Sequence, residues 1–184
     1  MKKYSKVNGA VYLNKLSKKW GSYLCLKKNH RAFGVYGICV EDDKLLVINK
    51  NGGPYINRYD LPGGSLEEGE TLSKAMKREF TEETGLEIEI EENIGVIDFI
   101  LPWMWRDFTD VHHIAVYYSV KKIGGELSVP EQVDGQDSLG ALWVSEKDVS
   151  MDNASPLVLK AFEWLRTNSL GIDAKIYKDW KVLK

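Results

Sequence analysis

Between Gly64 and Leu86 the chain carries Glu70, Arg78, Glu79, Glu82 and Glu83, and the stretch Thr71–Thr84 contains no Gly or Pro. Leu72, Ala75, Met76 and Phe80 recur there at helical spacing, and Gly85 stands where a glycine C-cap belongs, so a helix is expected. On that helix Glu79 lies three residues from Glu82 and four from Glu83, which turns three carboxylates to one face. Like charges at this spacing repel. Arg78 can pair with Glu82 one turn on, but one cation does not balance the group. Clustered hard oxygen donors are what Mg²⁺ or Mn²⁺ requires, and such ions commonly also bind substrate phosphates. Gly63 and Gly64, just ahead of the helix, let backbone approach closely, so a carbonyl there could add another oxygen. Taken alone, these residues read as a divalent-metal phosphate site, or else as a charged helix face turned to water.

The elements that must position this helix are legible around it. Ala32–Val40 and Lys44–Asn49 are apolar runs separated by Glu41-Asp42-Asp43, which predicts a hairpin. Asn51-Gly52-Gly53-Pro54 marks a loop, and Arg58–Leu61 a short extended piece ended by Pro62-Gly63-Gly64. Leu86–Glu91, Ile94–Leu101, Val111–Val120 and Ala141–Val144 read as strands, Gly124–Gln136 as a polar connection, and Pro156–Thr167 as a second helix. Mixed strands with two substantial helices indicate an α/β sandwich.

The 184 residues have 43% hydrophobic and 28% charged content and a mean hydropathy of -0.31. That usage excludes collagen-like and wholly disordered chains, and no run approaches the roughly 20 apolar residues of a membrane helix. With a basic but polar amino terminus, a cytoplasmic protein without a membrane partner is expected. Cys25 and Cys39, lacking any metal-ligand spacing, are expected to be reduced packing residues. The net charge of -2 hides an asymmetry. Nine basic groups and no acidic one lie in residues 1–31, so the remaining chain carries a net of −11. This basic extension also holds Tyr4, Tyr12, Trp20 and Tyr23. It suits either an RNA end, through charge and aromatic stacking, or docking against the body or a second subunit of a homodimer. The expected organisation is an extension over 1–31, a domain over 32–168 and a carboxy-terminal tail over 169–184.

Glycine, five residues, glutamate, seven residues, Arg-Glu, an apolar residue, one residue, Glu-Glu, one residue, glycine and an apolar residue is a pattern that resembles the Nudix box. Gly64, Glu70, Arg78, Glu79, Phe80, Glu82, Glu83, Gly85 and Leu86 fill each defined position. The resemblance implies a Nudix-like α/β/α sandwich with a mixed sheet. It also implies a Mg²⁺- or Mn²⁺-dependent pyrophosphohydrolase acting on a nucleoside diphosphate-X or a nucleoside triphosphate. It assigns Glu79, Glu82, Glu83 and the Gly63 carbonyl to the metal, has Arg78 orient the glutamates, and lets Glu70 brace the loop. The general base stays open between Glu79 or Glu82 and a carboxylate of the later connection (Glu126, Glu131, Asp134 or Asp137), with Asp137 preferred among the distal ones.

Substrate signals are weaker. Pro102 stands 16 residues beyond the box, as in the ADP-ribose pyrophosphatase group, but Leu101-Pro102-Trp103 replaces that group's Ser-Pro-Gly. Trp103, Trp105 and Phe108 are candidates for stacking on a purine, and equally for covering the sheet or a dimer contact. Arg58 is a candidate phosphate contact or a surface arginine. His112 and His113 must point to opposite faces of a strand and so make a poor metal pair. An ADP-ribose pyrophosphatase, an oxidised-purine triphosphatase and an RNA 5′-pyrophosphohydrolase fit within the enzyme reading. A non-catalytic nucleotide sensor on the same fold is the rival outside it.

Overall fold

The computed structural model describes residues 27–132 and 136–184. Most of the basic extension, with Cys25, and Asp134 therefore lie outside the described residues. Nine strands and two α-helices follow in the order β1 (Asn29–Ile38), β2 (Val40–Glu41), β3 (Lys44–Lys50), β4 (Tyr59–Asp60), β5 (Gly63–Gly64), α1 (Leu72–Thr84), β6 (Leu86–Trp105), β7 (Phe108–Gly125), β8 (Ser138–Val144), α2 (Pro156–Thr167) and β9 (Lys175–Ile176). One sheet has the order β5-β1-β7-β6-β9. It is mixed, because β1 runs parallel to β7 while β6 and β7 are antiparallel. In the second sheet β3 pairs with β2, β4 and β8.

Both helices begin and end as their sequences dictate. The Thr71 hydroxyl accepts from the Lys74 N–H at the start of α1, and Gly85, left-handed at φ 77°, returns its N–H to the Thr81 carbonyl. Ser155 caps α2 in the same way, ahead of Pro156. Ala75, Met76 and Phe80 of α1 pack with Val35, Leu46, Leu86 and Val116 in one core cluster. The larger cluster joins Phe99, Leu101 and Tyr117 to Leu157, Ala161 and Phe162 of α2. The first sheet contributes to both.

Three expectations change. The predicted hairpin exists only at its tip: Glu41 pairs with Lys44 around Asp42 and Asp43, both at positive φ. The rest of the first strand leaves for the other sheet, where Val35 faces Val116. Val35–Cys39 is buried residue after residue, as befits a central strand, but its partner lies some 80 residues away and no local pattern names it. Leu86–Glu91 and Ile94–Leu101 are one 20-residue strand, interrupted by register shifts rather than by a loop. The segment 169–184 is more than a tail. Lys175–Ile176 adds a strand beside Phe99–Ile100, and Leu170 and Trp180 enter the larger core cluster. Cys39 is buried and free, and burial pushes its thiol up to about 11, in keeping with a packing role. No described helix is long and apolar enough to cross a membrane.

Candidate active site

Gly63 and Gly64 form β5, pairing with Tyr36 and Val35 of β1 at the amino-terminal side of α1. A side chain is barred from Gly63 by backbone, and at Gly64 it would displace the Glu79 carboxylate. A Cβ on Gly63, at φ +141°, would stand 2.0 Å from the Val35 carbonyl oxygen. One on Gly64 would stand 2.7 Å from the Glu79 carboxyl carbon. The loop can thus lie directly on the acidic helix. The Gly63 N–H donates to Glu83 Oε2 at 2.8 Å, fixing the buried end of the cluster.

Arg78 organises the outer end. Its Nε and Nη2 donate to the two oxygens of Glu70 at 3.0 and 2.9 Å, a bidentate pair, and Nη2 also reaches the Ser65 carbonyl. Nη1 contacts Glu79 Oε1 and Glu82 Oε2, each at 3.0 Å, so one nitrogen holds two of the three clustered carboxylates side by side. Arg78 and the Glu67 N–H stabilise the Glu70 carboxylate and hold its pKa down to about 2. The inner acids are moved the other way. Burial raises Glu79 despite Arg78, and it raises Glu83 well above the usual carboxylate range despite Lys50. These are negative charges that the protein's own cations leave undercompensated.

Behind Glu83 stands a polar group that sequence reasoning only half found. Lys50 Nζ donates to Asp137 Oδ1 at 2.6 Å, and the Asp137 carbonyl accepts from the Asn51 N–H. Burial alone would discharge Lys50, but Glu83, Asp60 and Asp137 outweigh it and keep the ammonium protonated. Asp60, buried and bonded to the Ser155 hydroxyl and the Leu61 N–H, is raised by burial to about 6. Asp137 was singled out in advance; Lys50 and Asp60 were missed. Lys50 ends an apolar strand and Asp60 precedes Pro62-Gly63-Gly64 by two residues, but neither shares a spacing with the box. Of the other distal acids, Glu126 and Glu131 are exposed connection residues.

The aromatic candidates stand apart from this cluster, while the Arg58 backbone accepts from the Lys50 N–H at 3.0 Å. Trp103, Trp105 and Phe108 belong to the facing ends of β6 and β7, not to a loop, and close around His30 in a single aromatic group. His30 is five residues before Val35 on β1, roughly 17 Å along the strand from the Gly64 pairing. Arg58, expected at a pocket mouth, is instead 5% exposed and lies over the Trp180 ring. The two adjacent histidines do point apart. His112 pairs with Asp98, while His113 is buried between the hydroxyls of Tyr36 and Tyr55, where burial lowers its pKa to about 3.

Among the described residues no three His, Cys, Asp or Glu side chains are gathered as a finished metal cage; Arg78 and Gly63 hold the carboxylates instead. The donor set nonetheless fits a hard divalent cation. It is all oxygen, burial disfavours the ionised form of Glu79 and Glu83 in a way a divalent cation would offset, and a glycine keeps side-chain bulk away from Glu79.

A family model described as the NUDIX domain matches residues 28–166. The chain belongs to the Nudix hydrolase family. Among Nudix relatives, the ADP-ribose pyrophosphatase of Methanocaldococcus jannaschii is 33% identical over 130 residues, 66% of this chain and 74% of that protein. The 8-oxo-dGDP phosphatase of Homo sapiens is 29% identical over 103 residues, 56% of this chain but only 28% of that protein. A Nudix hydrolase of Nitrosomonas europaea superposes with a TM-score of 0.58 at 23% identity, covering 76% of this chain and 91% of that one, a likeness of fold. The matched boundaries also place Asn29–Arg31 inside the Nudix domain, where β1 begins.

Proposed function

We propose that this Nudix protein is a divalent-metal-dependent pyrophosphohydrolase that cleaves a P–O–P bond of a nucleotide by water attack at phosphorus. The observation that carries it is the seating of Glu79 and Glu83 against the bare Gly63–Gly64 loop, with Glu82 held beside Glu79 by Arg78. Glu79, Glu82, Glu83 and the Gly63 carbonyl would hold Mg²⁺ or Mn²⁺. When bound, such an ion neutralises the pyrophosphate, lowers the pKa of a water and templates in-line displacement. Arg78 sets the carboxylates of Glu79 and Glu82, and Glu70 locks the guanidinium from behind. The general base would be Glu79 or Glu82 or, among the distal acids, Asp137, whose pairing with Lys50 supports that reading. Arg58, Trp103, Trp105 and Phe108 are left out of this machinery, because Arg58 is turned under Trp180 and the aromatics stand at the far end of β1.

ADP-ribose leads the substrate candidates, supported by the 33% identity to an enzyme named for it. The basic extension supports an RNA end only by its charge. Two of its residues are engaged elsewhere: Lys27 pairs with Asp110 and Lys28 with Asp107. The experiment is phosphate or nucleotide release with Mg²⁺ or Mn²⁺ on ADP-ribose, 8-oxo-dGTP and a 5′-triphosphorylated RNA. Turnover should be metal-dependent, and Glu82→Gln should lower kcat about a hundredfold with little change in stability. No turnover of any substrate, together with tight nucleotide binding, would make the protein a sensor. An unchanged rate in Glu82→Gln would remove that residue from the site.

A further inference from the structure

Away from the acidic helix, the carboxy-terminal segment closes over a cleft of about 540 Å³. Arg58 lines it, with Asp152 on one side and Tyr177, Lys178, Trp180 and Lys181 on the other; no residue of α1 or of the Gly63–Gly64 loop takes part. Arg58 is the unusual member. It is 95% buried, since only 5% of it is exposed, yet among the described residues no carboxylate stands within ion-pair distance. Its Nε makes one long bond, 3.4 Å, to the Met151 carbonyl, and its guanidinium carbon lies 4.1 Å from the centre of the Trp180 ring. Nη1 is buried with no hydrogen-bond partner among the described residues. A buried, always-charged fork that lacks an acceptor is costly, and its geometry matches a phosphate or carboxylate edge. Burial pulls its pKa down, and Asp152, the nearest compensating charge, only partly offsets this.

We propose that this cleft is a second ligand site, one that takes a phosphoryl group against the Arg58 side chain in its lining, with Lys178 and Lys181 at its mouth. The three cations outnumber Asp152 and Asp179, the two acids of the lining, which favours an anion, and the guanidinium fork matches a phosphoryl edge. Trp180 does not serve as a stacking platform. Arg58 covers one side of its ring, Tyr55 and Tyr177 meet it edge-on, and its Nε1–H is committed to the Pro54 carbonyl at 2.9 Å. Specificity therefore rests on charge and the guanidinium fork. A volume of this order admits a nucleoside monophosphate as well as free phosphate. The site is independent of the hydrolase reading and would survive a blank substrate panel.

The test is calorimetric titration of the full-length protein, with a chelator present, by inorganic phosphate and by AMP. Saturable binding is expected, weakened about tenfold or more in Arg58→Gln. If Arg58→Gln does not fold, the surface pair Lys178→Ala/Lys181→Ala takes its place, with the same loss expected. Tighter binding of AMP identifies a nucleotide phosphate as the ligand, and equal binding identifies the phosphoryl group alone. Absence of saturable binding overturns the proposal. So does unchanged affinity in the folded variant, or affinity lost in Glu79→Gln but kept in Arg58→Gln, which would put the anion on the acidic helix.

Discussion

The backbone N–H of Gly63 and the carboxylate of Glu83 meet at 2.8 Å, although 20 positions separate them in the chain. That bond ties the glycine loop to the last turn of α1. It also directs Glu83 inward while Arg78 draws Glu79 and Glu82 toward the rim. The acidic face is therefore not one solvated stripe. It is split between a buried carboxylate held by backbone and two held by a guanidinium.

Gly64→Ala places a methyl group 2.7 Å from the Glu79 carboxyl carbon. Glu79 must swing away, because β5 is pinned to β1 and cannot retreat. The expected result is a rate lower by about a hundredfold, the penalty for misplacing a reacting group by an ångström. The stability cost should be about 1 kcal/mol or less, because only the end of the Glu79 side chain has to move. Urea unfolding and steady-state rates on the same preparation check both. Full activity in this variant would show that the place of Glu79 does not matter.

Asp60 supplies a pH signature. Its folded pKa of about 6 lies above the ordinary unfolded value near 3.9. The folded state therefore binds the proton more tightly, and the stability this contributes is present at low pH and lost as pH rises through about 6. Relative to Asp60→Asn, which does not titrate, the wild-type protein should gain about 2 kcal/mol between pH 7 and pH 4. His113 acts in the opposite direction. Depressed to about 3, it contributes stability above its unfolded pKa near 6.5 that is lost as pH falls, but it is common to both proteins and cancels in the difference. Urea midpoints measured across this range with a chelator present give the curve, and a constant difference would contradict the buried, protonatable Asp60.

Trp180 lies beyond the 28–166 match, yet it is 8% exposed, covers Arg58 and donates to the Pro54 carbonyl. Trp180→Ala should cost about 3–5 kcal/mol, the usual loss for a large buried aromatic. Equilibrium unfolding measures it. A loss below about 1 kcal/mol would mean that 169–184 is an appendage after all.

Within α1 the amino-acid sequence by itself was sufficient. The helix, its Gly85 cap and the shared face of Glu79, Glu82 and Glu83 follow from spacings of three or four residues, and α2 was legible for the same reason, whereas Thr71 is the cap rather than the first helical residue. The pairing of Arg78 with Glu82 was likewise readable one turn away, whereas its second anchor, Glu70, sits in the preceding loop. Tertiary structure alone decided the rest. It joined Lys50 to Asp137 across 87 residues and Tyr36 to His113 across 77, sent β1 into a different sheet from β3, and laid Trp180 over Arg58. These outcomes depend on which surfaces meet when the sheets close. Burial then did what composition cannot reveal: it raised Glu83 and Asp60 and left Arg58 Nη1 without a hydrogen-bond partner among the described residues. Local spacing decides which groups can act together, and the low dielectric of the closed fold decides what charge they carry when they do.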